Sequence, residues 1–163
     1  GPTRRLAKLF GLLTVFLLTV PGCAGKYVSP LTPPPYRTDV PAGYDSTWAA
    51  LVKALAGQNV PLRAIAKDSG VIASDELVTP IGVYADCGTI GGDRIEGEAT
   101  VSYTLFATSK GESTRVQVNS KMRTHAHRKG PSGKLRPLPV YQCASTARFE
   151  GNLMDSVREL VKD

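Results

Sequence analysis

Two neighbouring segments in which apolar and polar residues alternate constrain the fold of this chain more than any other feature. The segments are "EATVSYTLFATS" and "STRVQVNSKMRTH", and Gly111 between them marks a tight turn. The residues that share one apolar face are Val101, Tyr103, Leu105, Val116, Val118 and Met122. The polar residues opposite them in the second segment are Arg115, Gln117, Asn119 and Lys121. Because side chains of a strand alternate between two faces, we predict two long antiparallel strands with one buried face.

An amphipathic helix is predicted on each side of these strands in the sequence. Capping oxygens from Asp45, Ser46 and Thr47 precede the first helix, which is predicted to end at Gly57. Its apolar face, at the spacing i, i+3, i+4 and i+7, consists of Trp48, Leu51, Val52 and Leu55. The second helix is predicted to be capped by Asn152. Its apolar face consists of Leu153, Val157, Leu160 and Val161.

Shorter strands complete the predicted sheet. A hairpin is expected over residues 61–74, because alternating residues flank the turn sequence Asp68-Ser69-Gly70. The glycine-rich residues 79–97 predict an irregular connection with a short strand at Gly82 to Ala85, and a last strand is expected from Val140 to Phe149. The predicted fold class is α+β, with an antiparallel sheet of about five strands packed on an N-terminal helix and a long C-terminal helix.

The N-terminus carries the pattern of a signal peptide that ends in a lipid-attachment motif. Arg4, Arg5 and Lys8 precede an apolar run of 12 residues at positions 9–20, which is shorter than the roughly 20 residues needed to cross a bilayer. The sequence Val20-Pro21-Gly22-Cys23 then resembles the bacterial lipobox, apart from its proline. The resemblance implies that the chain is cut before Cys23 and anchored through acyl chains on Cys23. An ordinary secretory signal with an incidental cysteine is the alternative.

Two further cysteines, Cys87 and Cys143, remain if Cys23 is acylated. An exported protein folds in an oxidising compartment, so we predict a disulfide between them. This bond would fix the glycine-rich connection that contains Cys87. Two free buried thiols are the alternative.

Residues 26–43 are predicted to form a tether without regular structure. The prolines of this segment are Pro30, Pro33, Pro34, Pro35 and Pro41, and proline cannot donate a backbone hydrogen bond. In polyproline geometry the tether would reach about 55 Å from the membrane. The chain is thus divided into a signal peptide (1–22), an acylated cysteine with its tether (23–43) and a single domain (44–163).

Three segments of the domain carry a family resemblance: "YDSTWAALVKAL", "LRAIAKDSGVIASD" and "CASTARFEGNLMDSVREL". Together with the lipobox and the tether, they resemble the bacterial outer-membrane lipoproteins with helix-grip domains, the family of the lipoprotein C subunit of the β-barrel assembly machinery. The resemblance covers residues 44–162 and implies an antiparallel sheet that wraps a long C-terminal helix. It also implies an outer-membrane protein whose domain faces the periplasm, with Ala24 after the cysteine favouring that sorting. Exposure of the domain at the cell surface is left open.

Charge is segregated along the domain. Residues 68–112 hold eight acids against Arg94 and Lys110, whereas residues 113–149 hold eight basic residues and no acid. Cross-strand ion pairs account for Arg115 and Lys121. The loop 128–137 projects into solvent, and we predict that it binds an anionic surface such as lipid head groups, lipopolysaccharide or an acidic protein. The residues of this candidate site are Arg123, Arg128, Lys129, Lys134 and Arg136. A solvated face without a partner is the alternative.

The sequence contains no pattern of catalytic residues. His125 and His127 are the weak candidates for a metal site, but two ligands with basic neighbours do not make one. The serines lack a Gly-x-Ser-x-Gly motif, and the glycines of "CGTIGGDRIEGE" are not spaced as in a phosphate-binding loop. We therefore predict a protein that is not an enzyme and has no cofactor.

The function predicted from these features is binding or scaffolding. The protein would be an envelope lipoprotein that contacts the bilayer through acyl chains on Cys23 and recognises an envelope protein. It would not bind nucleic acid, because an exported protein does not meet it in that compartment. The alternative is a carrier that holds an apolar ligand between sheet and helix. The residues that would line such a cavity are Trp48, Tyr103, Phe106, Met122 and Leu153. A metalloprotein or enzyme that uses the two histidines is the third class.

Overall fold

The computed structural model of the chain describes residues 25–125, 127–129 and 132–163. Its strands are β1 (Tyr27–Val28), β2 (Tyr36–Val40), β3 (Leu62–Ala66), β4 (Val71–Ser74), β5 (Leu77–Pro80), β6 (Ala85–Asp86), β7 (Thr89–Ile90), β8 (Asp93–Arg94), β9 (Glu98–Lys110), β10 (Ser113–His125), β11 (His127–Lys129), β12 (Leu135–Pro137) and β13 (Gln142–Ser145). Its helices are α1 (Tyr44–Gly57) and α2 (Arg148–Val161). Within these residues, neither helix is long and apolar enough to span a bilayer. The segment predicted to be a signal peptide and the predicted lipid-attachment residue Cys23 lie outside the described residues.

The hairpin of β9 and β10 forms the centre of the main sheet. Its two strands have 13 residues each and pair in one unbroken register, from Glu98 opposite His125 to Lys110 opposite Ser113. Strands β4 and β5 pair end to end along the free edge of β9, and β2 and β13 do the same along the free edge of β10. With β3 and β6 the sheet has eight strands. The predicted antiparallel α+β class is confirmed, but the prediction of five strands is too low, because each edge of the long hairpin holds two short strands.

One face of the sheet is buried and the other is exposed, as the alternation predicts. The predicted inward residues of β9 and β10 are buried, and they join apolar residues of α1 and α2 in one core. Phe106 is wrong as a predicted cavity residue. It has the opposite parity to Tyr103 and Leu105, lies on the outer face and is 37% exposed.

Both helices start at other residues than predicted. Helix α1 begins at Tyr44 after Gly43 without a side-chain cap, although its predicted end at Gly57 is confirmed. Helix α2 begins at Arg148, four residues before the predicted cap at Asn152, because the preceding strand stops at Ser145. Between β13 and α2 the chain turns through Ala147, whose φ of 64° is in the left-handed region.

The predicted absence of regular structure in residues 26–43 is wrong for two parts of this segment. Strand β1 pairs with β7, and β2 pairs over its whole length with β10. In β2 the side chains of Tyr36, Thr38 and Val40 are more buried than the two between them, which is the alternation of a strand on a covered sheet. Proline flanks β2 on both sides but does not enter it, as is typical of an edge strand.

A disulfide joins Cys87 to Cys143, which confirms the predicted pairing. It connects the turn after β6 to β13 across 56 residues of sequence. By the loop-entropy model, closing a loop of this length stabilises the fold by about 4 kcal/mol. The irregular segment 79–97 is further held by β6, which pairs with β13, and by the small sheet of β1, β7 and β8. The short strand expected at Gly82 to Ala85 is present only from Ala85.

Gly70, in the turn between β3 and β4, generates the first prediction. Its φ is +70°, and an added Cβ would lie 2.2 Å from the Ala107 carbonyl oxygen. The Gly70 carbonyl also accepts a hydrogen bond from the Ala107 N–H at 2.8 Å, so the turn cannot move away without losing this bond. We expect Gly70→Ala to lower the free energy of unfolding by at least about 2 kcal/mol in urea denaturation.

The matched control is Gly57→Ala at the end of α1. An added Cβ there has no neighbour within 4 Å, and the residue has no positive φ. This variant is expected to keep its stability or to gain up to about 1 kcal/mol. Equal losses in the two variants would contradict the explanation by close approach.

Candidate functional site

A groove opens where β2 and β13 leave a gap along β10. We call it the edge groove. It has a volume of about 370 Å³ and is lined by residues 32–36, 118–120 and 143–145, with Ala147 and Glu150 from the start of α2. Strand β2 pairs with β10 up to Val118, and β13 begins to pair at Met122. The stretch of β10 between these two strands forms the floor of the groove.

Ser120 is the residue of β10 that faces the gap. It has the parity of Val116, Val118 and Met122, so its side chain is on the covered face of the sheet, yet it is exposed whereas those three are buried. The register of β9 with β10 is continuous through Ser120, which stands opposite Tyr103. Ser120 is therefore exposed because β2 and β13 stop short of it, and not because a β-bulge displaces it.

The carboxylate of Glu150 forms part of the groove wall and is almost completely buried, with 1% of the residue exposed. The Ser145 hydroxyl lies 2.8 and 2.9 Å from its two oxygens and can donate to one of them at a time. The same hydroxyl oxygen accepts a hydrogen bond from the Ala147 N–H at 2.9 Å. The position of Glu150 in the first turn of α2 also favours a negative charge.

Aromatic packing holds the start of α2 on the sheet beside this groove. The ring of Phe149 stacks on Tyr103 with a centroid distance of 4.0 Å and meets Tyr84 edge to face at 5.9 Å. Burial, together with the neighbouring Glu150 carboxylate, raises the pKa of Tyr103. Because Tyr103 stands opposite Ser120, this packing places Glu150 next to the gap in the sheet.

The predicted basic site is divided between two structural elements. Residues 127–129 and 135–137 form a separate two-stranded sheet, in which β11 pairs with β12. Lys134 and Arg136 are exposed there, and the main chains of Arg128 and Lys129 lie in β11. We call this element the basic hairpin. It agrees with the prediction of a projecting segment, although the segment is a hairpin and not an irregular loop.

Arg123 is in the main sheet and is bound to an acid. Its guanidinium donates two hydrogen bonds to the Glu76 carboxylate, at 2.6 and 3.2 Å. Arg115 likewise pairs with Asp39 of β2 at 3.0 Å, which confirms a cross-strand ion pair for this residue. Lys121 stands opposite Ser102 in β9, and its charge, after the hydrogen bond and charge of Arg123, contributes to lowering the pKa of the Glu76 carboxyl.

The histidine pair lies at the junction between the main sheet and the basic hairpin. His125 is the exposed last residue of β10, opposite Glu98, and the main chain of His127 begins β11. Among the residues that the structure describes, no three His, Cys, Asp or Glu side chains are grouped as a metal would require.

The first strand lies at the same end of the domain as the basic hairpin. The ring of Tyr27 stacks on Tyr141 at 3.9 Å, and the Tyr27 hydroxyl donates to the Cys87 carbonyl at 3.3 Å. Tyr141 is tied to the end of β10: the Thr124 N–H donates to the Tyr141 carbonyl at 3.0 Å, and the Tyr141 N–H donates to the Thr124 hydroxyl at 2.9 Å. The chain that follows Cys23 therefore enters the fold beside the base of the basic hairpin.

Comparison with known proteins gives no family assignment. No protein-family model matches the chain, and no curated protein matches its sequence.

The ion pair of Arg123 with Glu76 generates a prediction about pH. The Arg123 guanidinium, through its hydrogen bond and its charge, lowers the pKa of the Glu76 carboxyl below its ordinary value. This pair therefore stabilises the fold above the ordinary carboxyl pKa, and the contribution is lost as the pH falls through the lowered value. We expect Arg123→Gln to raise the pKa of Glu76 in a carbon-detected NMR titration.

Arg115→Gln is the matched control for this titration. It removes an arginine from the same strand whose partner is Asp39, the pKa of which is lowered by the hydrogen bond from Arg115. The variant should raise the pKa of Asp39 and leave that of Glu76 unchanged. A change at Glu76 of the same size in both variants would indicate a general loss of positive charge instead of a specific pair.

Proposed function

We propose that this protein is a lipid-anchored envelope lipoprotein of the outer membrane, whose domain faces the periplasm and acts as a non-catalytic binding module. The observation that carries the proposal is the use of cysteine. The disulfide takes Cys87 and Cys143, and the third cysteine, Cys23, stands in the lipobox-like sequence after a signal-peptide pattern. A disulfide is typical of an exported protein, and a separate cysteine at that position is what lipid attachment requires.

The assignment to the helix-grip class is part of the same proposal. Its support is that α1 and α2 contact each other and cover one face of an antiparallel sheet, with Phe149 of α2 stacked on Tyr103 of β9. The resemblance to outer-membrane assembly lipoproteins supports a role as a scaffold for an envelope complex.

An anchor at Cys23 would hold the domain close to the bilayer. Strand β1 begins at Tyr27, four residues after Cys23, and four extended residues span at most about 14 Å. This reach replaces the 55 Å expected for an unstructured tether. Because β1 enters beside the base of the basic hairpin, the hairpin would lie on the membrane side of the domain.

The basic hairpin is suited to anionic lipid head groups at this position. Its sequence from His127 to Pro137 contains Arg128, Lys129, Lys134 and Arg136 and no acid. Each such charge near an anionic surface contributes about 1 kcal/mol. Because acyl chains and a basic patch act together in stable membrane anchoring, the hairpin would add to the anchor at Cys23.

The first test concerns the anchor. In cells that process lipoproteins, the mature chain is expected to begin at Cys23, to carry acyl chains in intact-mass spectra and to fractionate with the outer membrane. Cys23→Ala should yield no acylated product and should leave residues 1–22 attached. A mature chain without acyl mass, recovered in the soluble periplasmic fraction, would contradict the proposal and support the ordinary secretory signal.

The second test concerns the basic hairpin. The acylated protein is placed in vesicles of phosphatidylcholine alone or mixed with phosphatidylglycerol, and its lysines are labelled with a membrane-impermeant amine reagent. We expect Lys134 to react several-fold more slowly on the anionic vesicles, and high salt to restore its rate because salt screens surface charges. Lys53, exposed on α1, is the internal control and should react equally on both. Equal rates for Lys134 on both vesicles would contradict the lipid contact without affecting the test of the anchor.

A further inference from the structure

We propose that the edge groove receives an extended segment of a partner polypeptide and places a lysine or arginine side chain of that segment against Glu150. This inference does not depend on the lipid anchor or on the basic hairpin. It rests on three features that meet in the groove: a main-chain gap at Ser120, a buried carboxylate whose two oxygens share one hydroxyl donor, and a wall of prolines.

The first feature is the unpaired main chain of Ser120. The Thr124 N–H donates across this edge to Tyr141, so the main-chain groups of even-numbered residues of β10 point to the edge where β2 and β13 lie. Val118 and Met122 have strand partners there, in Tyr36 and Cys143. Among the described strands, none pairs with Ser120 on this side. Its N–H and C=O are therefore available to one residue of an extended chain.

The opposite edge of the same hairpin shows how such a gap is closed within the fold. Strands β4 and β5 leave Tyr103 of β9 between them, directly across from Ser120. There the Tyr103 N–H donates to the Ser74 hydroxyl at 2.8 Å, and the site is buried. The gap at Ser120 instead opens into a groove of about 370 Å³.

The proline wall explains why β2 does not close the gap. Tyr36 of β2 stands opposite Val118 of β10. If this register continued by two residues, Pro34 would stand opposite Ser120. Proline has no N–H, so it cannot complete an antiparallel pair with Ser120. The sequence Pro33-Pro34-Pro35 thus ends β2 at Tyr36 and leaves the groove between itself and β13.

Glu150 determines the chemistry of the side chain that the groove accepts. Its two oxygens have one hydroxyl donor between them, whereas a carboxylate accepts about four hydrogen bonds. A buried carboxylate is stabilised when a cation donates to it, and such hydrogen bonds are roughly twice as strong as neutral ones. Of the groove residues, Glu150 alone is a carboxylate, and none is basic. The groove is therefore complementary to an ammonium or guanidinium group and would repel an acidic segment.

The test uses the full chain in detergent micelles and two fluorescein-labelled pentapeptides, Thr-Val-Lys-Val-Thr and its matched form with norleucine in place of lysine, both blocked at the ends. Fluorescence anisotropy should show that the lysine peptide binds about tenfold more tightly than the norleucine peptide. The chain has a formal charge of +6, so general electrostatics would disfavour the lysine peptide. A preference for lysine would thus report a local site.

Two variants separate the charge from the groove. Glu150→Gln keeps the shape of the side chain and should abolish the preference for lysine. Ser120→Leu places a larger side chain on the floor of the groove and should prevent binding of both peptides. Position 120 is exposed, and the nearest residues on the same face of β10 are apolar, so the fold should accept leucine there. Ser109→Leu, an exposed position on β9 away from the groove, is its matched control and should bind as the unchanged chain does. Thermal unfolding by circular dichroism establishes that each variant is folded. If Glu150→Gln does not fold, Ser120→Leu alone tests whether the peptides bind in the groove.

Several results would overturn the proposal. These are equal affinity for the two peptides, binding that Ser120→Leu leaves intact, and no binding at peptide concentrations up to about 5 mM. A dimer of the unchanged chain that Ser120→Leu dissociates would also overturn it, because the groove would then hold a second copy of this chain. None of these results bears on the acylation of Cys23, so the inference and the proposed function fail separately.

Discussion

The pairing of β9 with β10 is the interaction on which the rest of the structure depends. Thirteen residues on each strand pair without a bulge, so each strand has one long free edge and one long apolar face. The four short strands β2, β4, β5 and β13 pair with these edges, and both helices cover the apolar face. None of these short strands exceeds five residues, and such strands are not stable in isolation. They are ordered because the hairpin offers a template in fixed register.

The elements with strong local periodicity were predictable from the sequence, and those that depend on this template were not. The hairpin, the turn at Gly70, the end of α1 and the inward residues of the long strands follow from alternation and from glycine. The disulfide followed from counting cysteines under an assumption about Cys23. Strand β2 was missed because proline density outweighed the alternation of Tyr36, Thr38 and Val40, a pattern of only five residues. A longer-range partner, β10, decides its structure.

The edge groove was missed for a related reason, although both of its key residues leave a signal in the sequence. Ser120 interrupts the apolar series of β10, and Glu150 stands four residues before Met154, on the apolar face of α2. Each is a polar residue at a position where the pattern of its strand or helix predicts an apolar one. A single polar residue at such a position is common in proteins. Their significance depends on tertiary contact: Phe149 stacks on Tyr103, which stands opposite Ser120, and this brings the two exceptions into one groove.

The positions of the groove and of the first strand constrain how a partner would approach an anchored domain. Ser120 precedes His125 by five residues, which is about 17 Å along β10, and the chain from Cys23 enters at the His125 end of that strand. With an anchor at Cys23, the groove would stand above the bilayer by at most about that distance plus the reach of the four linking residues. A segment that meets Ser120 in the groove would then lie on the membrane-facing half of the domain edge.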